Sequence, residues 1–173
     1  ANSSQYLSLP SSLPTSEPST QPNVEPTAIV AIEDWAVGAG GLYSDYAYGI
    51  SALTDGSALV TGDFSSSTMT FESGLTLAKS INGGSSRDIF VAKISADGTW
   101  IWATAAGGSR TDHAYGISAL ADGSALVTGD FDSSTMTFES GLTLANSVNG
   151  GGSDDIFVAK ISADGTWIWA TSA

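Results

Sequence analysis

Short runs of alternating apolar and polar residues, separated by Gly, Asn and Asp, fill the chain from residue 27 onward. A two-residue period predicts β-strands, and no apolar stripe at helical spacing of useful length interrupts it. Four runs carry the pattern most clearly: AYGISAL (47–53), ALVTGDF (58–64), DIFVAKIS (88–95) and TWIWAT (99–104). The region is therefore predicted to be all-β.

Asp-Gly steps divide these runs into two pairs. Asp55-Gly56 separates the first two runs and Asp97-Gly98 separates the last two. Asp-Gly between apolar runs favours a hairpin, because glycine accepts the positive φ of a tight turn. The connection 65–86 contains TMTF and LTLA, which predict a small additional hairpin. The pattern thus predicts a four-stranded antiparallel meander with a decorated connection.

The same pattern occurs twice, with a period of 67 residues. Trp35, Trp102 and Trp169 head equivalent segments, and residues 35–101 align with residues 102–168 without a gap and with 12 differences. Self-similarity at a fixed period is the signature of a recurring structural unit. We therefore expect two tandem repeats, repeat one (35–101) and repeat two (102–168).

The predicted strands are apolar on both faces. Ile89 and Val91 are expected to point to one side of their strand and Phe90 to the other, while Trp100 and Trp102 are expected to share a face. A small sheet that is apolar on both sides must lie between two neighbours, as the radially packed blades of a β-propeller do. A β-solenoid is the alternative, although 67 residues are many for one rung.

Residues 1–26 differ in composition, since they contain all five prolines and many Ser and Thr. Such a segment cannot bury enough apolar surface to fold alone. It is predicted to be an extended N-terminal arm or linker, followed by a leading strand within residues 27–41. The apolar part of this strand, TAIVAIEDWAV (27–37), is expected to be unpaired and to add to the sheet edge of a neighbour.

Charge restricts the partners. The chain has 18 Asp and Glu against 5 Lys and Arg, a formal net charge of −13, and no Cys. This charge repels nucleic-acid phosphates and anionic membrane surfaces. No apolar run approaches the roughly 18 residues that cross a bilayer. We expect no nucleic-acid partner, no membrane insertion and no thiol chemistry.

The sequence of the repeats resembles that of a known family. DIFVAKISADGTWIWATAAGG followed by AYGISALADGSALVTGDF resembles the bacterial β-propeller repeats called SBBP repeats, and the resemblance extends over residues 35–173. It implies tandem four-stranded antiparallel β-propeller-like blades on a secreted or surface protein, and it implies no particular activity. The departure is the copy number, since propellers have about 4–8 blades.

No catalytic, cofactor-binding or metal-binding residue is predicted. The sequence has no phosphate loop, dinucleotide loop or nucleophile elbow. SADGTW (95–100 and 162–167) is similar to an Asp-box turn but lacks two spacer residues, so it is interpreted as a hairpin. His113 is the only histidine and is assigned to a loop. Near-identical repeats also argue against an active site, which needs different residues in different places.

Two glycine-rich segments are similar to calcium-binding nonapeptides, NGGSSRDIF (82–90) and NGGGSDDIF (149–157). Such sites need consecutive nonapeptides, so that oxygens of neighbouring turns share one ion. These two copies are one repeat apart and are interpreted as loops. The alternative is a weak cation site at Asp130, Asp132 and Glu139.

The candidate ligand or interface residues are aromatic: Trp35, Tyr43, Tyr46 and Tyr48. Tyr and Trp serve equally well in cores, in interfaces and as platforms on which sugars stack, so both interpretations stay open.

The lysines that end the DIFVAK strands have a structural interpretation. Lys93 and Lys160 are each expected to pair with an acid such as Asp63 or Asp130, rather than to act as reactive amines.

These features favour a non-enzymatic structural or interaction protein of an extracellular surface, filament or virion. Two sheets expose an apolar face at each end, so we expect self-association, head to tail, into a ring or a filament. The alternative is a secreted lectin-like module that binds surface glycans through the aromatic residues. A fragment of a propeller hydrolase is a third hypothesis.

Overall fold

The computed structural model describes residues 34–79, 86–147 and 153–173. The predicted arm 1–26 and residues 27–33 of the leading strand lie outside the described residues. The described residues contain no helix that could cross a membrane. They form thirteen strands: β1 (Ala39–Gly40), β2 (Asp45–Ala52), β3 (Ala58–Phe64), β4 (Thr68–Phe71), β5 (Thr76–Ala78), β6 (Asp88–Ile94), β7 (Trp100–Gly107), β8 (Asp112–Ala119), β9 (Ala125–Phe131), β10 (Thr135–Phe138), β11 (Thr143–Ala145), β12 (Asp155–Ile161) and β13 (Trp167–Ser172).

Two four-stranded antiparallel arrangements form the body of the fold. Strands β2, β3, β6 and β7 are hydrogen-bonded in the order β7-β6-β3-β2, and strands β8, β9, β12 and β13 in the order β13-β12-β9-β8. We call these the first sheet and the second sheet. The predicted all-β, antiparallel class is confirmed, and none of the sheets described here closes on itself.

The predicted hairpins form because glycine stands where the chain turns. The turn glycines have φ between 80° and 89°, as predicted for Gly56, Gly98, Gly123 and Gly165. SADGTW forms the tip of the β6–β7 hairpin, where Ser95 N–H donates to Thr99 O at 2.9 Å. The predicted TMTF–LTLA hairpin is also present, as β4–β5 and again as β10–β11.

Each small hairpin attaches to the strand that contains the first residues of its own repeat. Strand β10 pairs with the end of β7, which extends the first sheet to six strands. In the same way, β4 pairs with β1, where Ala39 lies opposite Phe71. The leading segment, defined here as residues 34–40, is therefore paired within its own chain. Of the expected leading strand 27–41, residues 34–41 are described and only Ala39–Gly40 form a strand, so residues 34–37 of the expected unpaired strand form none.

A bulge separates the two tryptophans of TWIWAT. The pairing of β6 with β7 shifts at Lys93 and Ile94, so that Lys93 lies opposite Trp102 and Ile94 opposite Trp100. An extra residue in one strand reverses the alternation of side chains. Trp100 and Trp102 therefore pack against different apolar clusters, which corrects the expectation that they share a face.

Strand β6 of the first sheet is buried on both faces, as the alternation in DIFVAK predicts. Ile89 and Val91 belong to the junction core, the apolar cluster between the first and second sheets, which also contains Phe157. Phe90 belongs to a second cluster beneath the β4–β5 hairpin, with Phe71. The described residues between 34 and 173 form one compact unit.

Candidate interaction surfaces

The junction between the two sheets shows how one repeat packs on the next. Besides the junction core, hydrogen bonds cross it at its margin. Ala119 N–H donates to Ser51 Oγ at 3.0 Å, and the Thr104 hydroxyl donates to Glu139 Oε2 at 2.9 Å. The junction thus combines an apolar centre with polar contacts around it.

A tryptophan closes each SADGTW turn. Trp102 Nε1–H donates to Ala163 O at 3.2 Å, and a Cβ on Gly165 would lie 2.9 Å from the Trp102 ring. Trp35 does the same one repeat earlier: its Nε1–H donates to Ala96 O at 3.1 Å, and a Cβ on Gly98 would lie 2.7 Å from its ring. Glycine is required here both by φ and by the indole above it.

The far side of the second sheet, which we call the trailing face, is open. Ile89 of the first sheet is 0% exposed, whereas its equivalent Ile156 in the second sheet is 61% exposed. Trp169 on this face is 41% exposed. Thr61 is buried in the junction, whereas its equivalent Thr128 is exposed. The trailing face therefore has the residues of a junction without a sheet against it.

The opposite side of the molecule, the leading face of the first sheet, is covered only in part. The β4–β5 hairpin buries Phe90 there. Along strand β2, however, Ile50 is 71% exposed and Ala47 is exposed, whereas Ala114, the equivalent of Ala47, is 0% exposed in the junction. The leading face thus has an open apolar strip along β2.

Three tyrosines form a ladder of rings on β2 and β8, the last strands of the first and second sheets. Tyr46 and Tyr48 stack with their centroids 6.0 Å apart, and Tyr48 lies 5.6 Å from Tyr115. The Arg87 guanidinium lies 4.6 Å from the Tyr46 centroid, and His113 stacks on Tyr115 at 5.5 Å. The ring faces are therefore in contact with neighbours, and the three tyrosines remain about half exposed.

The other two predicted aromatic residues lie apart from this ladder. Trp35 packs on the Gly98 turn, and Tyr43 precedes β2, where its N–H donates to Ser66 Oγ at 3.0 Å. The structure brings Tyr46 and Tyr48 together, as the sequence suggested, and adds Tyr115 and His113. Tyr115 repeats Tyr48 at the 67-residue period, so the period itself was the signal for it.

A buried carboxylate connects the two sheets beside the ladder. Asp63 is fully buried, and its Oδ1 lies 2.5 Å from Arg87 Nη1. Its Oδ2 contacts Nδ1 of His113, which comes from the second sheet. His113 lies in strand β8 and not in a loop as expected, because the strand begins at Asp112, two residues before the AYGISAL pattern of repeat two.

The equivalent carboxylate of the second sheet has a different environment. Asp154 replaces Arg87 at this position. Burial raises the pKa of the Asp130 carboxyl, the Asp154 carboxylate adds to the rise, and His113 opposes it. Burial and the neighbouring Asp130 raise the pKa of Tyr115 to about 12. The trailing face thus carries negative charge without the arginine that neutralises the junction.

A second buried carboxylate holds the connection between β7 and β8. The Asp112 oxygens accept hydrogen bonds from Gly108 N–H at 2.8 Å, from Ser133 N–H at 3.3 Å and from the Ser133 hydroxyl at 3.0 Å. Burial, with a contribution from the charge of Asp88, raises the pKa of Asp112 to about 7. The hydrogen bonds from Gly108 and Ser133 offset part of the free-energy cost of burying the Asp112 carboxylate, so this group has a structural role.

The lysines at the strand ends pair with other acids than expected. Lys93 Nζ lies 3.8 Å from Asp55 Oδ2, and Lys160 Nζ lies 3.9 Å from Asp122 Oδ2. Asp63 lies opposite Ile89 in the ladder, four residues from Lys93, which at about 3.3 Å per residue is too far for an ion pair. A groove of about 360 Å³ lies between the Asp55 and Asp122 turns, with Lys93 in its wall.

The acidic residues of repeat two do not converge. Asp132 Oδ2 lies 3.2 Å from Arg110 Nη1, Glu139 accepts from Thr104, and Asp130 lies beside His113 and Tyr115. No group of three potential ligands suited to a metal occurs among residues 34–79, 86–147 and 153–173. Much of the two nonapeptide-like segments, at residues 80–85 and 148–152, lies outside the described residues.

Comparison with protein-family models and with curated proteins finds no match to this chain.

Proposed function

We propose that this protein is a non-enzymatic structural subunit whose copies associate head to tail, trailing face against leading face, in an extracellular surface, filament or virion assembly. The observation that carries the proposal is the contrast between two equivalent isoleucines, Ile89 at 0% and Ile156 at 61% exposure. The same residue type at the same position is buried wherever a neighbouring repeat is present.

The energy available is substantial. Burying one large apolar side chain contributes about 1.5–3 kcal/mol, and the trailing face offers Ile156 and Trp169. The leading face offers the open strip along β2. Because the two faces differ, the contact is heterologous, so it closes into a ring if the rotation allows and otherwise continues as a filament. Propeller-like packing of the sheets, as the SBBP resemblance implies, would give the ring.

Sedimentation of the full chain over a range of concentrations tests the proposal. The mean mass should rise with concentration, and Ile156→Lys should abolish the rise, because a charge on this face would have to be buried. Ile101→Lys is the matched control. Ile101 and its equivalent Ile168 are both 49% exposed, although the first sheet has the second sheet against it and the trailing face of the second sheet has no neighbour. This position therefore lies outside the contact. A mass that stays monomeric at every concentration would overturn the proposal.

The tyrosine ladder supports the second candidate, a carbohydrate-binding module. Three half-exposed phenol rings beside the partly exposed Arg87 guanidinium are a suitable surface for sugar hydroxyls. The ring faces, however, already contact Arg87, His113 and each other, so recognition would use the ring edges and hydroxyl groups. A glycan array with the Tyr48→Ala variant as the control tests it. Binding that survives this substitution would exclude the ladder as the site.

A further inference from the structure

The leading segment and the end of the second sheet are equivalent stretches of sequence. Trp35-Ala36-Val37-Gly38-Ala39 and Trp169-Ala170-Thr171-Ser172-Ala173 lie two repeat periods apart, and both correspond to the segment that starts at Trp102. The leading segment and the end of the second sheet thus share the sequence pattern of Trp102–Ala106, whose tryptophan covers a SADGTW turn.

The leading segment makes, on repeat one, the contacts that Trp102–Ala106 makes on repeat two. The indole of Trp35 donates to a carbonyl 61 residues on, as the indole of Trp102 does. Glu72 N–H donates to Gly38 O at 3.3 Å, and Glu139 N–H donates to Ala105 O at 3.3 Å, one repeat later. The leading segment therefore occupies the place of a preceding repeat's outer strand.

No following repeat among the described residues packs on the trailing face, so its equivalents of the junction residues are exposed. Trp169 is 41% exposed, and Thr171, the equivalent of the junction residue Thr104, is exposed. The turn that Trp169 would cover in a following repeat is the Ala96–Gly98 turn of another copy, which Trp35 already covers. A second copy can dock as the internal junction does only if this segment moves away.

We propose that head-to-tail association proceeds by strand exchange, in which Trp169–Ala173 of one copy displaces Trp35–Ala39 of the next. The inference rests on the proposed self-association and specifies its mechanism. The leading segment is then a plug that competes with the incoming strand for the turn at Gly98 and for the edge of β4 with which β1 pairs.

The balance between plug and partner depends on concentration. The plug is tethered, and short tethers give effective concentrations in the millimolar range, so it opposes exchange in dilute solution. The incoming strand arrives with its whole sheet, which also covers Ile50 and Ala47, left exposed by the plug. Association should therefore be weak at micromolar concentration and should rise sharply above it.

Charge also favours the closed plug. In the internal junction Asp63 is paired with Arg87 and contacts His113. In a junction between copies, Asp130 beside Asp154 would face Tyr46, which occupies the place of His113. Each copy also carries a net charge of −13. Added salt screens this repulsion and should strengthen association.

Two equivalent tryptophans give a test of opposite sign. Trp35→Ala weakens the plug and should strengthen association, whereas Trp169→Ala removes the incoming anchor and should weaken it, each by about tenfold in apparent Kd, since truncating a central aromatic residue of an interface costs at least this much. Sedimentation equilibrium of the two full-length variants and of the wild type measures both. A fall in association for both variants would contradict the exchange.

A disulfide provides a test that keeps the fold intact. Gly40 and Thr70 are Cα partners in β1 and β4, and the chain has no cysteine of its own. Oxidised Gly40→Cys/Thr70→Cys should hold the plug closed and remain monomeric, and reduction should restore association. The control is Thr70→Cys/Thr76→Cys, which links β4 to its other neighbour β5 and leaves the leading segment free.

The outcomes separate the two proposals. Association that depends on Ile156 but not on the state of the Gly40–Thr70 disulfide would overturn the exchange and leave self-association standing. Monomers at every concentration, in the wild type and in Trp35→Ala, would overturn both. Association that the disulfide switches off and its reduction switches on establishes the exchange.

Discussion

Glycine at the β6–β7 turn serves two requirements that can be separated by mutation. Gly98 has φ of 84° and lies under the Trp35 ring, whereas Gly74 has φ of 89° and nothing within 4 Å of the place where a Cβ would be. The two positions thus share the backbone conformation and differ in the space above it. They form a matched pair for measuring the indole contact.

Gly74→Ala should lower the free energy of unfolding by about 1–2 kcal/mol, the cost of a left-handed conformation for a side chain with a Cβ. Gly98→Ala should cost at least about 1 kcal/mol more, because its Cβ also meets the Trp35 ring. Urea unfolding measures both. In a Trp35→Ala background the extra cost should disappear, and equal losses for both glycines would show that the indole contact is without energetic effect.

A buried carboxyl gives the fold a pH dependence in an unusual direction. The pKa of Asp112 is raised from 3.8 to about 7, so the folded protein binds a proton that the unfolded chain has released. Stability from this group is therefore fully present below pH 4 and is lost as the pH rises to about 7. The turn carboxylates Asp55 and Asp97 act oppositely, since hydrogen bonds lower their pKa values, and their contribution is lost only in more acidic solution.

We expect the wild type to be more stable at pH 5 than at pH 8, by at most about 3 kcal/mol, because about two pKa units of the Asp112 shift lie within this interval and one unit corresponds to about 1.4 kcal/mol. Asp112→Asn, which keeps the shape of the side chain, should be less pH-dependent over this interval. Chemical unfolding at several pH values is the measurement. Stability that rises from pH 5 to pH 8 in the wild type would show that other groups outweigh Asp112.

At the scale of elements, the strands and hairpins were predictable because local signals encode them. The two-residue period and the Asp-Gly steps identify strands such as Ala58–Phe64 and the turns between them. The bulge at Lys93–Ile94 was not predictable, because it depends on the pairing register and not on composition. The same bulge turns Trp102 toward the junction, and with it Trp169 toward the trailing face.

The partners of the elements were harder to predict than the elements. Nothing in TMTF shows that β10 joins the sheet of the preceding repeat, since this contact needs the three-dimensional position of β7. The ion pairs failed for the same reason: Lys93 reaches Asp55 in a turn and not Asp63 along the strand. Among the candidate aromatic residues, Tyr46 and Tyr48 meet because they share strand β2, whereas Trp35 and Tyr43 precede it.

At the scale of the whole molecule, two nearly identical repeats have different surroundings. The first sheet lies between the β4–β5 hairpin and the second sheet, whereas the second sheet has a neighbour on one side only. Identical residues therefore contribute unequally to stability. This inequality is a property of position that the sequence of either repeat alone does not contain.

Ile89→Ala should lower the free energy of unfolding by about 2–5 kcal/mol, the usual cost of such a truncation in a core. Ile156→Ala should change it by no more than about 0.5 kcal/mol in dilute solution, because the side chain is 61% exposed. Thermal and urea unfolding at low protein concentration compare the two. Equal losses would show that the trailing face is already covered under these conditions.

The contacts that recur at the repeat period have a consequence for the way the gene can change. Repeat two donates the β10–β11 hairpin to the sheet before it, and Trp102, at its first position, closes the turn at Gly165. The same parts recur one period earlier, where Trp35 closes the turn at Gly98 and β4 pairs with β1. A gene that gains or loses one 67-residue segment by unequal recombination therefore encodes a chain in which each remaining joint is still complete. The chain can therefore become longer or shorter by whole repeats without a compensating mutation. The near-identity of the two copies favours such recombination.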